Sequence, residues 1–190
     1  GKYIIISAPS GSGKSTIVKK IMNHKELNLH FSISVTNRKP RTNEQDGKDY
    51  FFLSNEEFQR HIDNNDLLEY EEVYKGLFYG TLKSQIEKSI IEGKNIVFDV
   101  DVVGGNSIKN YFKERALSIF IQPPSIQELR SRLLKRGTDS VEMIEKRVAK
   151  AKNELMFAHS FDVIIINDHL EKAVEETLSA IKTFLNADKD

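Results

Sequence analysis

The run Tyr3-Ile4-Ile5-Ile6-Ser7-Ala8-Pro9-Ser10-Gly11-Ser12-Gly13-Lys14-Ser15-Thr16-Ile17-Val18 decides the fold. Its opening is aromatic and β-branched, the composition of a strand covered on both faces. The residues from Ala8 to Gly13 are small and turn-forming. From Lys14 onward Ile17, Val18, Ile21 and Met22 recur at helical spacing. Strand, glycine-rich loop and helix, with Gly-Lys-Ser closing the loop, is the order of a phosphate-binding loop. Gly11 and Gly13 let the backbone bend so that successive N–H groups converge on phosphate oxygens, and the helix N-terminus adds a favourable dipole. Lys14 supplies a point charge for the β- and γ-phosphates of a nucleotide. Ser15 supplies a hydroxyl for the magnesium that bridges them, with Thr16 beside it. The generic pattern opens with glycine, and Ala8 stands there in this chain; a small residue suffices.

Working outward, strand-like runs recur at 95–100, 117–121 and 162–166, each followed by a stretch of helical periodicity. This alternation predicts an α/β fold with a central parallel sheet flanked by helices and right-handed crossovers. Leu170, Val174, Leu178, Ile181 and Leu185 form an apolar stripe that docks a last helix on the sheet. Between Phe31 and Gly80 the pattern changes. Strand-like fragments at 31–35 and 50–53 flank polar, turn-rich sequence at 41–49, which predicts an inserted small β-containing lobe. Residues 136–140 interrupt two charged helical segments, the place expected of a mobile lid. The expected division is a core of 1–32, 82–124 and 160–190, a lobe of 33–81 and a lid region of 125–159.

Composition narrows the function classes. The chain has 190 residues, 39% hydrophobic and 29% charged, enough for a real core. Its 28 Lys+Arg balance 28 Asp+Glu, so no overall field recommends nucleic acid or a membrane surface as partner, and any basic site is local. There is no cysteine, which removes disulfides and thiolate metal sites. No apolar run reaches membrane-spanning length, and the N-terminus enters a strand without a leader pattern. The expectation is a cytoplasmic protein; Gly1 in place of Met points to a processed or trimmed chain.

A second basic pair lies far from the loop, in Ser34-Val35-Thr36-Asn37-Arg38-Lys39-Pro40-Arg41. Two forked guanidiniums hold a phosphate well, although exposed basic clusters are also common. Pro40 keeps Lys39 extended, so this is no ordinary basic helix face. Tyr50 and Tyr79 offer hydroxyl donors. Asp99 closes the run Ile96-Val97-Phe98, where an acid serves the magnesium shell, pairs with Lys14, or caps the next segment.

These segments, together with Asp46-Gly47-Lys48-Asp49-Tyr50, Leu68-Glu69-Tyr70, Tyr79-Gly80-Thr81, Asp99-Val100-Asp101 and Arg136-Gly137-Thr138, resemble guanylate kinases in the same order and over essentially the whole chain. The resemblance implies a P-loop α/β core in which the β-rich insertion binds GMP and the loop and lid bind ATP with magnesium. It implies that Arg38, Arg41, Tyr50 and Tyr79 hold the GMP phosphate, with Ser34 and Thr81 near the base. Glu69 and Asp101 match the guanine-reading carboxylates. Guanine presents N1–H and an exocyclic amine on one edge, and an ionised carboxylate is an acceptor-only partner for both. Adenine offers a bare N1 there and would leave the acids unpaired. Arg132, Arg136 and Arg147 resemble the lid arginines that reach the ATP phosphates, with Lys14, Arg38, Arg136 and Arg147 acting on the transferring group. Arg132 also has Glu128 four residues before it, the spacing of a helix ion pair. Gly137 supplies hinge freedom, and Asn167 matches a position beside the adenine. Val103 stands where the family often has glutamine.

The expected reaction is direct in-line transfer from ATP to GMP, and to dGMP, giving ADP and GDP. Two other readings share these residues. One is a non-catalytic module that binds phosphorylated peptides, against which the intact Gly13-Lys14-Ser15 argues. The other is a kinase for a different acceptor, such as AMP, UMP or a small metabolite, against which Glu69 and Asp101 argue. The sequence leaves the oligomeric state open.

Overall fold

The computed structural model describes residues 1–137 and 139–187. Five strands, β1 (Tyr3–Ser7), β2 (Leu29–Phe31), β7 (Asn95–Asp99), β8 (Ala116–Gln122) and β9 (Val163–Ile166), form one parallel sheet in the order β2-β7-β1-β8-β9. Alternation along β1 explains its two-sided burial. Ile4 and Ile6 face one side, with Val97, Ile119 and Ile165, against α1 (Lys14–Met22) and α7 (Leu170–Asn186). Tyr3 and Ile5 face the other side, with Ile96 and Phe98, against α3 (Lys83–Ile91) and α4 (Val102–Phe112). Each of these isoleucines is fully buried, worth about 1.5–3 kcal/mol apiece in transfer terms. Such a sheet cannot shift register without stripping both helix layers.

The last helix buries Val174 and Ile181 of its expected stripe together with Ala173 and Thr177, while Leu170, Leu178 and Leu185 pack at the margin. Helices α5 (Ile126–Arg136) and α6 (Val141–Leu155) pair through Leu129, Leu133, Ile144, Val148 and Ala151, a small core of their own. Gly137 ends α5 with φ +65°, and the Ser140 hydroxyl caps α6 by accepting the Met143 N–H. Thr138 lies outside the described residues.

The inserted lobe differs from expectation in detail. The fragment 31–35 is not one strand. Phe31 ends β2 beside Val97, whereas Val35 opens β3 (Val35–Thr36), flanked by Phe51 of β4 (Phe51–Phe52) and by Gly80 of β6 (Leu77–Leu82). The chain passes from one sheet to the other through Ser32 to Ser34, because the Ser32 N–H still pairs with Val97 while the Ser34 carbonyl already accepts from Phe51. The second sheet, order β4-β3-β6-β5, is carried by the antiparallel hairpin of β5 (Leu67–Tyr74) and β6. Helix α2 (Asn55–Asp63) covers it with Phe58, its one buried residue. A polar helix with a single buried anchor leaves little periodicity in the sequence. Its start is nevertheless well marked, since Ser54 accepts from the Glu57 N–H and Glu57 accepts from the Ser54 N–H. Replacing Ser54 with Ala is expected to lower stability by about 1 kcal/mol. Urea unfolding followed by circular dichroism checks the size of that loss.

Candidate active site

The loop between β1 and α1 is held from below. Gly11 and Gly13 have φ +89° and +88°, a region that side-chain-bearing residues enter only under strain. Gly13 has a second constraint. A Cβ there would sit 2.3 Å from the Asn167 side-chain nitrogen, which donates a 2.7 Å hydrogen bond to the Ser12 carbonyl. Asn167 is buried at the end of β9, so the last strand of the sheet props the loop opened by the first. Its side chain therefore lies beneath the loop.

Above the loop, the structure gathers Ala8 to Thr16, Ser34, Arg41, Tyr50, Asp99, Arg136 and Glu154 around one cavity of about 430 Å³. Lys14 forms an ion pair with Asp99 and donates to the Val100 carbonyl at 3.3 Å. That pair follows from register. Asp99 stands directly beside Ile6 in the parallel ladder, which brings the end of β7 alongside the loop leaving β1. Ser15 and Asp99 share a second flank of the same opening. A hydroxyl and a carboxylate at one mouth are hard oxygen donors suited to magnesium, which takes few protein ligands and leaves the rest to phosphate and water.

An adjoining cavity of about 370 Å³ is walled by Glu69, Glu71, Val73, Tyr79, Asp101 and Lys150, and shares Ser10, Lys14, Ser34, Tyr50 and Asp99 with the first. Arg38 donates from Nε to the Tyr79 hydroxyl at 2.9 Å and from both terminal nitrogens to Glu44, at 2.6 and 2.7 Å. The Tyr50 ring lies under the guanidinium, 4.9 Å from it. Glu44 also accepts the Arg41 backbone N–H at 2.8 Å, so one carboxylate braces both arginines. The hydrogen bonds from Arg38 hold the Glu44 carboxyl down at about 2. Burial pushes the Tyr50 phenol above its ordinary value, with Tyr79 adding to it, so Tyr50 remains a neutral O–H donor at physiological pH. The Arg41 side chain is exposed but lines the loop cavity.

The acids are set at the far end of the second cavity. Glu69 of β5 lies opposite Thr81 of β6, whose buried hydroxyl donates to it at 2.7 Å. Burial pushes Glu69 up to about 7; Thr81 opposes the shift and the Asp101 charge assists it. Asp101 caps α4 by accepting the Gly104 N–H at 2.9 Å. Of the lid arginines, Arg147 reaches across from α6 to donate to the Ser10 hydroxyl at 2.9 Å, with Asp139 3.3 Å behind it. Arg136 lines the loop cavity from the end of α5. Arg132 is occupied by Glu128 at 2.8 Å and by the Asn167 carbonyl at 3.0 Å. Most of the sequence-predicted residues thus line the two adjoining cavities, Arg38, Thr81 and Arg147 touch lining residues through Tyr79, Glu69 and Ser10, and Arg132 and Asn167 are tied to each other.

Glu44, Glu71, Lys150 and Glu154 also line or brace the cleft and were not picked out from the sequence. Alternation on β5 would have found Glu71, two residues after Glu69, had 67–74 been read as a strand. Glu44 and Lys150 carry no local signal. Replacing Asn167 with Ala leaves the Ser12 carbonyl without its buried donor, at a cost of about 1–3 kcal/mol. The expected outcome is a lower melting temperature together with weaker nucleotide binding to the loop, read by thermal unfolding with and without ATP.

Comparison with known proteins agrees with this geometry. The family model described as guanylate kinase matches residues 1–186. Guanylate kinase from Porphyromonas gingivalis is 58% identical over 184 residues, 97% of this chain and 98% of that protein. The Bacteroides fragilis enzyme of the same name is 61% identical over 189 residues, spanning 100% of this chain and 92% of the relative. The crystal structure of guanylate kinase from Anaplasma phagocytophilum superposes with a TM-score of 0.78 at 27% identity, over 99% of this chain and 95% of that one. A phosphate loop braced from the end of the last strand, a facing lobe in which Glu44 and Tyr79 clamp Arg38, and whole-length similarity to these proteins together make the chain a member of the guanylate kinase family.

Proposed function

We propose that the two adjoining cavities divide between them the reaction of this family, transfer of the terminal phosphoryl group of ATP to GMP with formation of ADP and GDP. The observation that carries this division is their shared wall. Lys14 and Asp99 on the core side, with Ser34 and Tyr50 on the lobe side, border both spaces, so a donor in one and an acceptor in the other meet end to end.

In this reading Ala8 to Thr16 cradle the ATP phosphates, with backbone N–H groups converging and Lys14 neutralising the charge that builds on the bridging oxygen. Ser15 and Asp99 would hold a magnesium ion, which supplies charge neutralisation for the transferring group. Arg38, Arg41, Tyr50 and Tyr79 receive the GMP phosphate. Arg38, Tyr50 and Tyr79 are already held by one another and by Glu44, which matters because orientation alone can be worth about 7–11 kcal/mol of a barrier. The attacking atom is an ionised phosphate oxygen, so no general base is needed. Glu69 and Asp101 accept from guanine N1–H and the exocyclic amine, and Ser34 and Thr81 complete the base site. The same edge and phosphate are present in dGMP, which is therefore an acceptor too.

Arg136 and Arg147 come from the lid helices and meet the transferring phosphoryl group, whose charge is spread over its equatorial oxygens. Arg147 already touches the loop through Ser10. Arg132 supports them from the base of the lid, and Asn167 acts on ATP through the loop it props. Closure of the lid excludes water and suppresses wasteful hydrolysis. Among the described residues no helix is long and apolar enough to cross a membrane. With the reading goes work in the cytoplasm on two small-molecule substrates, with neither nucleic acid nor a membrane as partner.

A coupled assay of ADP formation with GMP, dGMP, AMP and UMP tests the assignment. GMP and dGMP are expected to turn over, with AMP and UMP slower by at least about a hundredfold, as when buried acceptors lose their donors. Lys14→Ala should reduce turnover with GMP by about a hundredfold or more without abolishing GMP binding. Equal use of AMP would overturn the base-reading assignment.

Acceptor binding should also follow pH. Glu69 accepts from guanine only when ionised, and its carboxyl is pushed up to about 7. The protonated fraction therefore falls as pH rises, and the KM for GMP is expected to decrease between pH 6 and pH 8. In Glu69→Gln that part of the profile should flatten, with a higher KM throughout.

A further inference from the structure

Among the described residues, four acids and two cations line the acceptor cavity: Glu69, Glu71, Asp99 and Asp101 against Lys14 and Lys150. Lys14 is committed to Asp99 and to the Val100 carbonyl, so that pair cancels at the wall shared with the donor cavity. Lys150 is the cation left to face three carboxyl groups. It belongs to neither the core nor the lobe. It stands on α6, one turn beyond Arg147, which touches Ser10 of the phosphate loop, and one turn before Glu154, which lines the donor cavity. Residues 147, 150 and 154 recur at helical spacing, so one face of this lid helix looks into both cavities. Lys150 is 3.8 Å from Glu154, a long separation for an ion pair, and its side chain is 47% exposed. Of the three acids before it, Glu69 accepts from Thr81 at 2.7 Å and Asp101 from the Gly104 N–H at 2.9 Å, and both are assigned to the base. Glu71 has no part in that reaction, although the alternation of β5 turns it to the same face as Glu69 and Val73.

We propose that Lys150 is a positioning residue of the acceptor site carried by the lid, which closes toward Glu71 of the lobe and holds the lid over a bound acceptor. This rests on the reading of the second cavity as the GMP site, and it deepens that reading by giving the site a member on the lid. Guanine brings hydrogen-bond donors but no charge, so its arrival satisfies the reading acids without cancelling the field of the cluster. It also displaces water. Attraction between an ammonium and a carboxylate grows about fourfold as the effective dielectric falls from that of water to that of a protein surface. An occupied acceptor cavity therefore draws Lys150 more strongly than an empty one. By linkage, a lid held shut through Lys150 binds the acceptor more tightly. Arg147 rides on the same helix, so closure driven from the acceptor side also brings a phosphate-directed arginine to the loop.

The test is a pair of double-mutant cycles on the full chain, one neutralising and one exchanging the charges. KM for GMP and kcat are measured for Lys150→Gln, Glu71→Gln and their combination, and for Lys150→Glu, Glu71→Lys and their combination. Calorimetry gives the dissociation constant of ATP without GMP, and thermal unfolding checks the fold. Lys150→Gln is expected to raise KM for GMP about fivefold, the upper range for an ion pair open to water, with kcat and ATP affinity within about twofold. Glu71→Gln should do the same, and the combined neutral variant should be no worse than either alone. The exchanged variant should recover most of what each single reversal loses, an outcome that a role through Glu154 on α6 would not produce. Additive losses in the neutral cycle overturn the inference even where the reversed variants fold poorly. An unchanged KM in Lys150→Gln overturns it too, while GMP turnover by the parent leaves the proposed function standing. A parent that uses AMP as readily as GMP overturns the acceptor reading and the inference with it.

Discussion

The parallel pairing of β1 with β7 is the constraint on which the rest of the cleft depends. It sets Ile6 beside Asp99, so the phosphate loop leaving one strand and the acidic turn leaving the next start from adjacent points. Lys14 and Asp99 then neutralise each other, with side chains only 21% and 22% exposed. At that depth an ion pair is screened far less than at the surface, where such pairs contribute about 0–1 kcal/mol. Loss of either partner would leave a largely buried charge at the wall the two cavities share.

Charge pairing of this kind extends through the whole site. Arg38 is matched by Glu44, Arg147 by Asp139 and Arg132 by Glu128, so three of the arginines at the phosphate end are charge-compensated within the protein. In the proposed reading, phosphate groups enter by sharing or exchanging partners with carboxylates. The pairs are not equal in this respect. Arg38 makes two terminal bonds to Glu44 and one to Tyr79, a geometry that engages all three guanidinium nitrogens and fixes its direction. Arg136 carries the lid's readiest charge, since among the described residues it has no ion-pair partner.

The acceptor end works by the opposite device, an excess of acids with too few cations. Glu69 and Glu71 are both raised by burial and by neighbouring carboxyl groups, and Thr81 and the α4 backbone hold the cluster in place. A cluster of buried acceptors is costly until it meets donors, and the Watson–Crick edge of guanine supplies donors where that of adenine exposes a lone pair. In the proposed reading, selectivity is a penalty for the wrong base as much as an attraction for the right one.

Much of this was legible in the amino-acid sequence. The strand–loop–helix opening, the parallel α/β class and the loop residues followed from composition and spacing, because a phosphate loop is local and its chemistry resides in contiguous residues. The family resemblance supplied the arginine pair and the two acids. The passage of 31–35 between two sheets, the β5–β6 hairpin and the single-anchor helix α2 were not legible, since none of them has a hydrophobic period long enough to register. Glu44 and the propping of the loop by Asn167 were also beyond reach, and Glu71 was within reach only through a strand at 67–74. Their partners lie from three to 155 residues away, and which side chain meets which is settled by the packing of separate elements. Residues 8–16 could be singled out as a phosphate loop from contiguous sequence alone, because the glycines, the lysine and the hydroxyls are neighbours in the chain. The tertiary structure decided which side chain aims each reading or clamping group, because a hydrogen bond between distant segments exists only once both are held in place.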